Sequence, residues 1–235
     1  MYPKPYVGTL NADQAATAMQ AARLNAVELM DTADLLFTSK RFSHSAAFSI
    51  LAIEEAGKVA ILQAILLEVG GERSQLWRAY RQHRAKTETL NLGIYARVRA
   101  TFPDIPLEKA QEIAARGPTP NELELSKQRA VYSDCGEESG IFTCHLPKNV
   151  DWRQEAWDRL CEARSIILGL RDRSPEELAV WIKHSNAARE AGKSFLAMIP
   201  DLHKELLEKG FVKEGWWDTF LKDIETQPAA HGKWK

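Results

Sequence analysis

The basic segment 77–86 contains an arginine and a histidine separated by four residues, Arg78 and His83. An imidazole can take up and return a proton near neutral pH because its ordinary pKa is about 6.5, and a guanidinium offers a planar, permanently charged fork to phosphate oxygens. Together they suit acid–base chemistry at a phosphate, as in an RNA-cutting or nucleotide-binding site. The alternative is a basic, solvated face of an ordinary helix, since clusters of charges usually have that role.

Arg81 and Lys86 are among the further cations of the same segment. His83 and Lys86 are neighbours on a helix because they are three residues apart. Arg78 and His83 differ by about 140° around an ideal helix, so one helix alone makes a poor active site. We therefore expect two copies of the segment to face a common cleft in a symmetric homodimer, with Arg81 and Lys86 as cationic support for the substrate.

A second group of charges interrupts the apolar segment 46–69 and consists of Glu54, Glu55 and Lys58. Burying an unpaired charge costs several kcal/mol, so these side chains must find partners or face solvent. Glu54 and Lys58 are four residues apart and are expected to pair along one edge of the helix. Glu55 or Lys58 would then orient Arg78 or His83 from the neighbouring helix. The alternative is an exposed stripe with a helix-stabilising ion pair.

The sequence offers little to hold a metal ion or a cofactor. None of the six histidines has a glutamate three residues before it, as a di-iron carboxylate bundle requires. Cys135, Cys144 and His145 lack the spacing of a zinc site. The chain also has no P-loop, dinucleotide-binding or nucleophile-elbow motif. We therefore expect no metal and no cofactor.

The elements that would position these side chains are helices. Apolar residues recur at helical intervals over 11–40 and again over 43–69, and the short connection predicts that the two helices pack antiparallel. Ser43 or Ser45 is expected to cap the second helix, and the pair Gly70 and Gly71 is expected to end it. A third helix, about 30 residues long, is expected to begin near residue 72 and to carry the basic segment.

The remainder of the chain predicts an insertion and further helices. Residues 103–150 are interrupted by proline and glycine, which predicts a partly irregular insertion beside the bundle. Asp151 and Ser174 are expected N-caps of the next two helices, and the second of these is expected to reach Ile199. Convincing alternating strands are absent. The predicted fold is an all-α, antiparallel helical bundle with an irregular insertion, forming one domain over residues 1–235.

Composition limits where the protein acts and what it binds. The net charge of −1, from 31 Lys and Arg against 32 Asp and Glu, argues against a broad polyanion-binding surface, so any contact with RNA should be local. Three cysteines without paired spacing suit a reducing compartment. The chain shows neither a secretory signal nor a membrane-spanning segment. We therefore expect a cytoplasmic protein with no membrane partner.

Three separated blocks resemble the AbiV family of bacterial abortive-infection proteins, a branch of the HEPN superfamily of all-helical nucleotide- and RNA-binding domains. The blocks are residues 45–58, 77–86 and 127–134. The first contains the sequence Glu-Glu-Ala-Gly-Lys, which is the most specific part of the likeness. The resemblance implies a HEPN-like bundle.

The resemblance also implies a function. HEPN domains commonly dimerise so that two Arg-x4-6-His motifs line a metal-independent endoribonuclease cleft, and Arg78 and His83 match that motif. His83 would assist proton transfer at the ribose 2′-hydroxyl or the leaving oxygen, and Arg78 would stabilise the extra negative charge on phosphorus, leaving a 2′,3′-cyclic phosphate and a 5′-hydroxyl. Many HEPN proteins are non-catalytic, so a defence protein that binds a phage component, or a nucleotide-binding regulatory module, is the alternative.

Overall fold

The computed structural model describes residues 4–68, 71–87, 94–95, 98, 102, 105–138, 141–147, 150–213 and 215. Helices dominate this part of the chain, which confirms the all-α class. No helix within it is both long and apolar enough to cross a bilayer.

The first two helices form the centre of the bundle. Helix α1 spans Ala12–Thr38 and begins with a capping box in which Asn11 and Gln14 bond each other's backbone N–H groups. Helix α2 spans Phe42–Leu67. The start of α1 packs against the end of α2, while Ser45 near the start of α2 donates a hydrogen bond to the carbonyl of Ala33 at 2.7 Å. The two helices are therefore antiparallel, as predicted.

The expected caps of α2 were wrong at its start. The N-cap is Arg41, and both Ser43 and Ser45 are buried inside the first turns of the helix. The helix begins earlier because Lys40 turns the chain with a positive φ of 58°. At the other end, Gly71 has a φ of 101°, in keeping with a glycine turn, and Gly70 lies outside the described residues.

The third predicted helix is broken. Helix α3 spans Arg73–Arg81 and helix α4 spans His83–Thr87, with Gln82 between them in an extended conformation. No glycine or proline occurs in this stretch, so the sequence carried no local signal for the break. The predicted continuation through Leu90 towards Val98 lies largely outside the described residues.

The insertion contains more regular structure than its composition indicated. Helix α5 spans Leu107–Ala115, and helix α6 spans Pro120–Val131 behind a capping box formed by Thr119 and Glu122. Strands β1 (Asp134–Glu138) and β2 (Ile141–His145) form an antiparallel hairpin in which Asp134 lies opposite His145.

Two helices and a short C-terminal group complete the bundle. Helix α7 spans Arg153–Gly169; its N-cap is Trp152, and Asp151 accepts a bond from the N–H of Arg153 at 3.0 Å. Helix α8 spans Pro175–Glu190 and has the predicted N-cap, because the hydroxyl of Ser174 accepts from the N–H of Glu177. A 3-10 helix over Phe195–Met198 precedes helix α9, Ile199–Glu208.

The prediction that α8 reaches Ile199 was wrong. Gly192 takes a positive φ of 63°, and the N–H of Lys193 bonds the carbonyl of Ala188 at 2.8 Å. This pattern is a Schellman motif, which ends a helix by satisfying its last carbonyls. Pro200 consequently lies in the first turn of α9, where its missing N–H costs nothing.

Helix α2 holds the bundle together. It contacts α1, α3, α4, α6, α7 and α8, and its buried face contributes to three apolar clusters. The side chains at these contacts include many alanines, which let neighbouring helices approach closely. A charged residue in the middle of α2 therefore faces several other elements at once.

Candidate functional site

The break at Gln82 separates the two residues of the Arg-x4-His pattern. Gln82 has φ −88° and ψ 129°, and its N–H donates to the carbonyls of Ala79 and Arg78 at 3.0 and 3.1 Å. Helix α3 therefore ends with Arg78 in its last turn, and His83 begins α4, which packs against α2 and α6. The 140° angle expected on one continuous helix does not apply.

Glu54 on α2 is the centre of a buried charge cluster. Its side chain is only 2% exposed, yet three cationic or potentially cationic groups surround it. Oε2 lies 2.5 Å from His83 Nδ1 and 3.7 Å from Lys86 Nζ, while Oε1 accepts a hydrogen bond from Lys127 Nζ at 2.6 Å. These partners offset the desolvation cost of burying a carboxylate in the bundle.

His83 joins this buried cluster to solvent. Its side chain is 56% exposed although Nδ1 is bonded to Glu54. Because a carboxylate oxygen only accepts, Nδ1 must donate its hydrogen, and the neutral ring then carries its lone pair on Nε2. Within the described residues Nε2 has no hydrogen-bond partner. An imidazole held in this tautomer is arranged to act as a general base.

Two lysines compensate the acids, and their surroundings differ: Lys86 is buried and Lys127 is partly buried. Burial lowers the pKa of Lys86, although the negative charge of Glu54 opposes that effect. Burial would also lower the pKa of Lys127, but hydrogen bonds with Glu124 and Glu54 outweigh it and raise that pKa. Burial acts to raise the pKa of Glu124, and the bonds from Lys127 and Gln128 reverse this and lower it. Lys127 is therefore held firmly as a cation.

Glu54, His83 and Glu124 place one potential metal-ligand atom each within 4.8 Å of the others. The ammonium of Lys127, however, lies 2.6 Å from Glu54 Oε1 and 2.8 Å from Glu124 Oε2, so it already bridges the two carboxylates. A divalent ion would have to displace a group whose raised pKa keeps it charged. The three side chains thus fit an ion-pair network better than a metal centre.

Glu55 and Lys58 form a separate pair. Their charged atoms lie 2.5 Å apart, three residues along α2, and Lys58 Nζ also lies 5.3 Å from the ring centre of Tyr80. The expected pairing of Glu54 with Lys58 was wrong, because Glu54 faces α4 and α6 instead. The side chain bonded to His83 is consequently Glu54, where the sequence had indicated Glu55 or Lys58.

Arg78 and Arg81, near the end of α3, have different surroundings. Arg81 donates hydrogen bonds to the carbonyls of Trp77 and Tyr6 at 3.0 and 2.9 Å, and its guanidinium lies 5.9 Å from the Trp77 ring centre. It fastens the segment before α1 to α3. Arg78 is exposed, and its side chain has no hydrogen bond or ion pair with any residue that the structure describes, His83 included.

Comparison with known families bears directly on this cluster. The HEPN_AbiV family model, described as AbiV, matches residues 14–168, which is well over half of the chain. The chain belongs to the AbiV family. No curated protein and no solved structure matches it.

The match includes every member of the charge cluster in this AbiV-family chain, because Glu54, His83, Lys86, Glu124 and Lys127 all lie between residues 14 and 168. The family is one of abortive-infection, HEPN-type defence proteins. Helices α8 and α9 follow the matched range.

Sequence reasoning missed Lys127 and Glu124. The available signal was a glutamate and a lysine three residues apart in a helical stretch, with Lys127 opening the block 127–134 that carries part of the AbiV likeness. That spacing predicts a local ion pair but says nothing of a partner on α2.

Proposed function

We propose that this AbiV-family protein is a cytoplasmic antiphage endoribonuclease that cleaves RNA as a homodimer without a metal ion. The observation that supports this most strongly is the solvent-facing imidazole of His83 bonded through Nδ1 to the buried Glu54 at 2.5 Å. A carboxylate that fixes the tautomer of a histidine and stabilises its protonated form is a recurring device of general acid–base catalysis.

The chemistry follows from that arrangement. Nε2 of His83 takes the proton of the ribose 2′-hydroxyl, and the 2′-oxygen attacks phosphorus. The bond from phosphorus to O5′ breaks, leaving a 2′,3′-cyclic phosphate on one fragment. The imidazolium of His83 formed in the first step returns the proton to O5′, which leaves as a 5′-hydroxyl. The guanidinium of Arg78 stabilises the added negative charge on the phosphoryl oxygens.

A homodimer accounts for the position of Arg78. Its exposed side chain has no hydrogen bond or ion pair with His83 of the same chain within the part that the structure describes. A two-fold pair of chains can bring Arg78 of one copy towards His83 of the other, and two-fold dimers are the commonest oligomers. Each cleft would then contain groups from both copies.

We assign the remaining cations to support the site. Lys86 is 6% exposed and lies beside Glu54, so its contribution is to the charge of the cluster more than to direct phosphate binding. Arg81 is engaged with Trp77 and Tyr6 and holds the chain in place. The cation that bridges Glu54 and Glu124 is the ammonium of Lys127, which supports cleavage without a metal ion.

The test is incubation of the purified protein with total RNA in excess EDTA. We expect cleavage to persist, to leave cyclic phosphate ends, and to fall by about 10²-fold or more in His83→Ala. His184→Ala is a matched control, because His184 also bonds a glutamate, Glu205, at 2.9 Å on another part of the surface. A folded dimer that leaves RNA intact, with or without lysate from phage-infected cells, contradicts the proposal.

A second candidate is a defence protein that binds a phage component without chemistry. Large apolar side chains exposed on the described surface, among them Leu35, Tyr132 and Leu168, are available to a protein partner. In that case His83→Ala would still protect cells from phage and would still capture the same phage protein from infected cells. Loss of protection with capture intact would favour the nuclease.

A further inference from the structure

We propose that Lys127 is a positioning residue for His83 and acts through Glu54, so that the insertion supplies part of the active site. The expected effect of Lys127 on catalysis rests on the proposed nuclease function. Its structural content, a coupling between Lys127 and the protonation of His83, can be measured independently.

The geometry of Glu54 carries the inference. One carboxylate oxygen, Oε1, accepts from Lys127 at 2.6 Å, and the other, Oε2, lies 2.5 Å from His83 Nδ1. With Oε1 held, the carboxylate cannot rotate freely, and Oε2 stays directed at the imidazole. The side chain of Lys127 is only 13% exposed and lies away from bulk solvent, so it is poorly placed to meet RNA itself.

Glu124 fixes Lys127 in turn. Its Oε2 lies 2.8 Å from Lys127 Nζ, and its Oε1 accepts a hydrogen bond from Gln128 at 2.8 Å. Both residues belong to α6, which packs against α2 and α4. The order of contacts therefore runs from Gln128 through Glu124, Lys127 and Glu54 to His83. A bond network of this kind transmits the placement of α6 to the imidazole.

The charge of Lys127 has a second effect, on the protonation of His83. A positive charge beside Glu54 offsets the negative charge that favours the imidazolium form. Other charged groups act at the same place from α2, α4 and α6, and they remain in a Lys127 variant: Glu54, Glu55, Lys58, Lys86 and Glu124. Removal of Lys127 alone should therefore favour imidazolium and move the titration of His83 to higher pH.

The decisive experiment is a pH titration of the histidine rings by long-range ¹H–¹⁵N NMR on the full-length protein. His83 is assigned by comparison with His83→Gln. In the wild type we expect hydrogen on Nδ1 in the neutral ring. In Lys127→Met we expect the titration midpoint of His83 to rise by about 0.5 pH unit or more, and Lys127→Arg should restore it.

Control variants separate positioning from general damage. Lys109→Met removes a lysine that pairs with Glu112 three residues along α5. Its ammonium forms no described ion pair with Glu54 or Glu124, so the titration of His83 should be unchanged. Should Lys127→Met fail to fold, Lys127→Gln loses the charge but keeps hydrogen-bond donors for the carboxylates. An unchanged His83 midpoint in either folded variant overturns the inference.

Kinetics distinguish this inference from the proposed function. For cleavage of RNA, Lys127→Met should lower kcat by about tenfold or more with little change in KM, because Lys127 orients the base without touching substrate. The acidic limb of the pH–rate profile should move in the same direction as the NMR midpoint. A wild type that cleaves no RNA rejects the function but leaves the NMR result valid, whereas active enzyme with an unchanged His83 titration rejects the role of Lys127 alone.

Discussion

Glu54 Oε2 and His83 Nδ1 lie 2.5 Å apart, which connects a carboxylate buried inside α2 with an imidazole open to solvent. The two residues are 29 positions apart in the chain. Their contact converts a basic segment into an oriented proton-transfer group, because the carboxylate decides which ring nitrogen carries hydrogen.

Replacing Glu54 by glutamine should impair both catalysis and folding. Glutamine removes the charge that stabilises imidazolium and leaves the buried Lys86 and the partly buried Lys127 less compensated. We expect cleavage to fall by about 10²-fold or more, and the free energy of unfolding to fall by about 3 kcal/mol. Cleavage assays and urea denaturation measure the two effects.

The neighbouring acid is the control for Glu54. Glu55→Gln breaks the separate pair with Lys58 and should cost about 1 kcal/mol or less, with cleavage close to wild type. Equal losses in the two variants would mean that the contact between Glu54 and His83 has no special role.

Arg78 and Arg81 should respond differently to substitution. Arg78→Ala should weaken RNA binding because a phosphate contact is lost. The logarithm of the association constant for RNA should then fall less steeply with the logarithm of the salt concentration, by about one unit of slope. Arg81→Ala should leave that slope unchanged and lower the melting temperature, since Arg81 holds Tyr6 and Trp77. Filter binding over a range of salt concentrations, with thermal melts, checks both. The reverse pattern would assign the phosphate contact to Arg81.

Two inactive variants should complement each other if each cleft contains Arg78 of one copy and His83 of the other. Arg78→Ala and His83→Ala, mixed and allowed to exchange subunits, form heterodimers in which one cleft is intact. We expect recovery to about a quarter of wild-type activity for random exchange. Each variant alone and a mixture held below the exchange temperature are the controls. No recovery, despite exchange shown by mass spectrometry, would place both groups of a cleft on one chain.

Glu162 should make stability depend on pH near neutrality. Burial raises the pKa of its carboxyl from 4.5 to about 7, with Asp158 and Glu155 adding to the effect and Arg159 opposing it. Below about 4.5 the acid is protonated in both folded and unfolded chains, so it has no effect. As pH rises from there to about 7, only the unfolded chain releases the proton readily, and the folded state loses stability.

Glu162→Gln removes that penalty because glutamine is neutral at every pH. Its melting temperature should exceed that of the wild type by about 2 °C or more at pH 8, and the difference should disappear near pH 4.5. Glu28→Gln, at an exposed position of α1, is the control and should show no such trend. The prediction is contradicted if the melting temperatures of the wild type and Glu162→Gln differ by the same amount at pH 4.5 and at pH 8.

Local signals in the sequence were sufficient for much of the fold. The antiparallel pair formed by α1 and α2 follows from apolar periodicity and a short connection, and Ser174 caps α8 as its side chain and the following proline indicate. The AbiV likeness rested on blocks that the family match covers. These features depend on residues close together in the sequence, or on a sequence pattern, so they can be predicted without coordinates.

The site itself depended on packing over long distances in the chain. Gln82 breaks the helix without glycine or proline, and Ser43 and Ser45 are buried inside α2 although their types suit caps. Sequence spacing favoured Lys58 as the partner of Glu54, while the folded chain gives Glu54 His83, Lys86 and Lys127 from two other helices. The sequence by itself determined the antiparallel pair of α1 and α2, the start of α8 and which residues can carry charge. Only the tertiary structure decided which charges form pairs. A buried carboxylate needs cationic partners, and the packing of the helices determines which cations lie next to it.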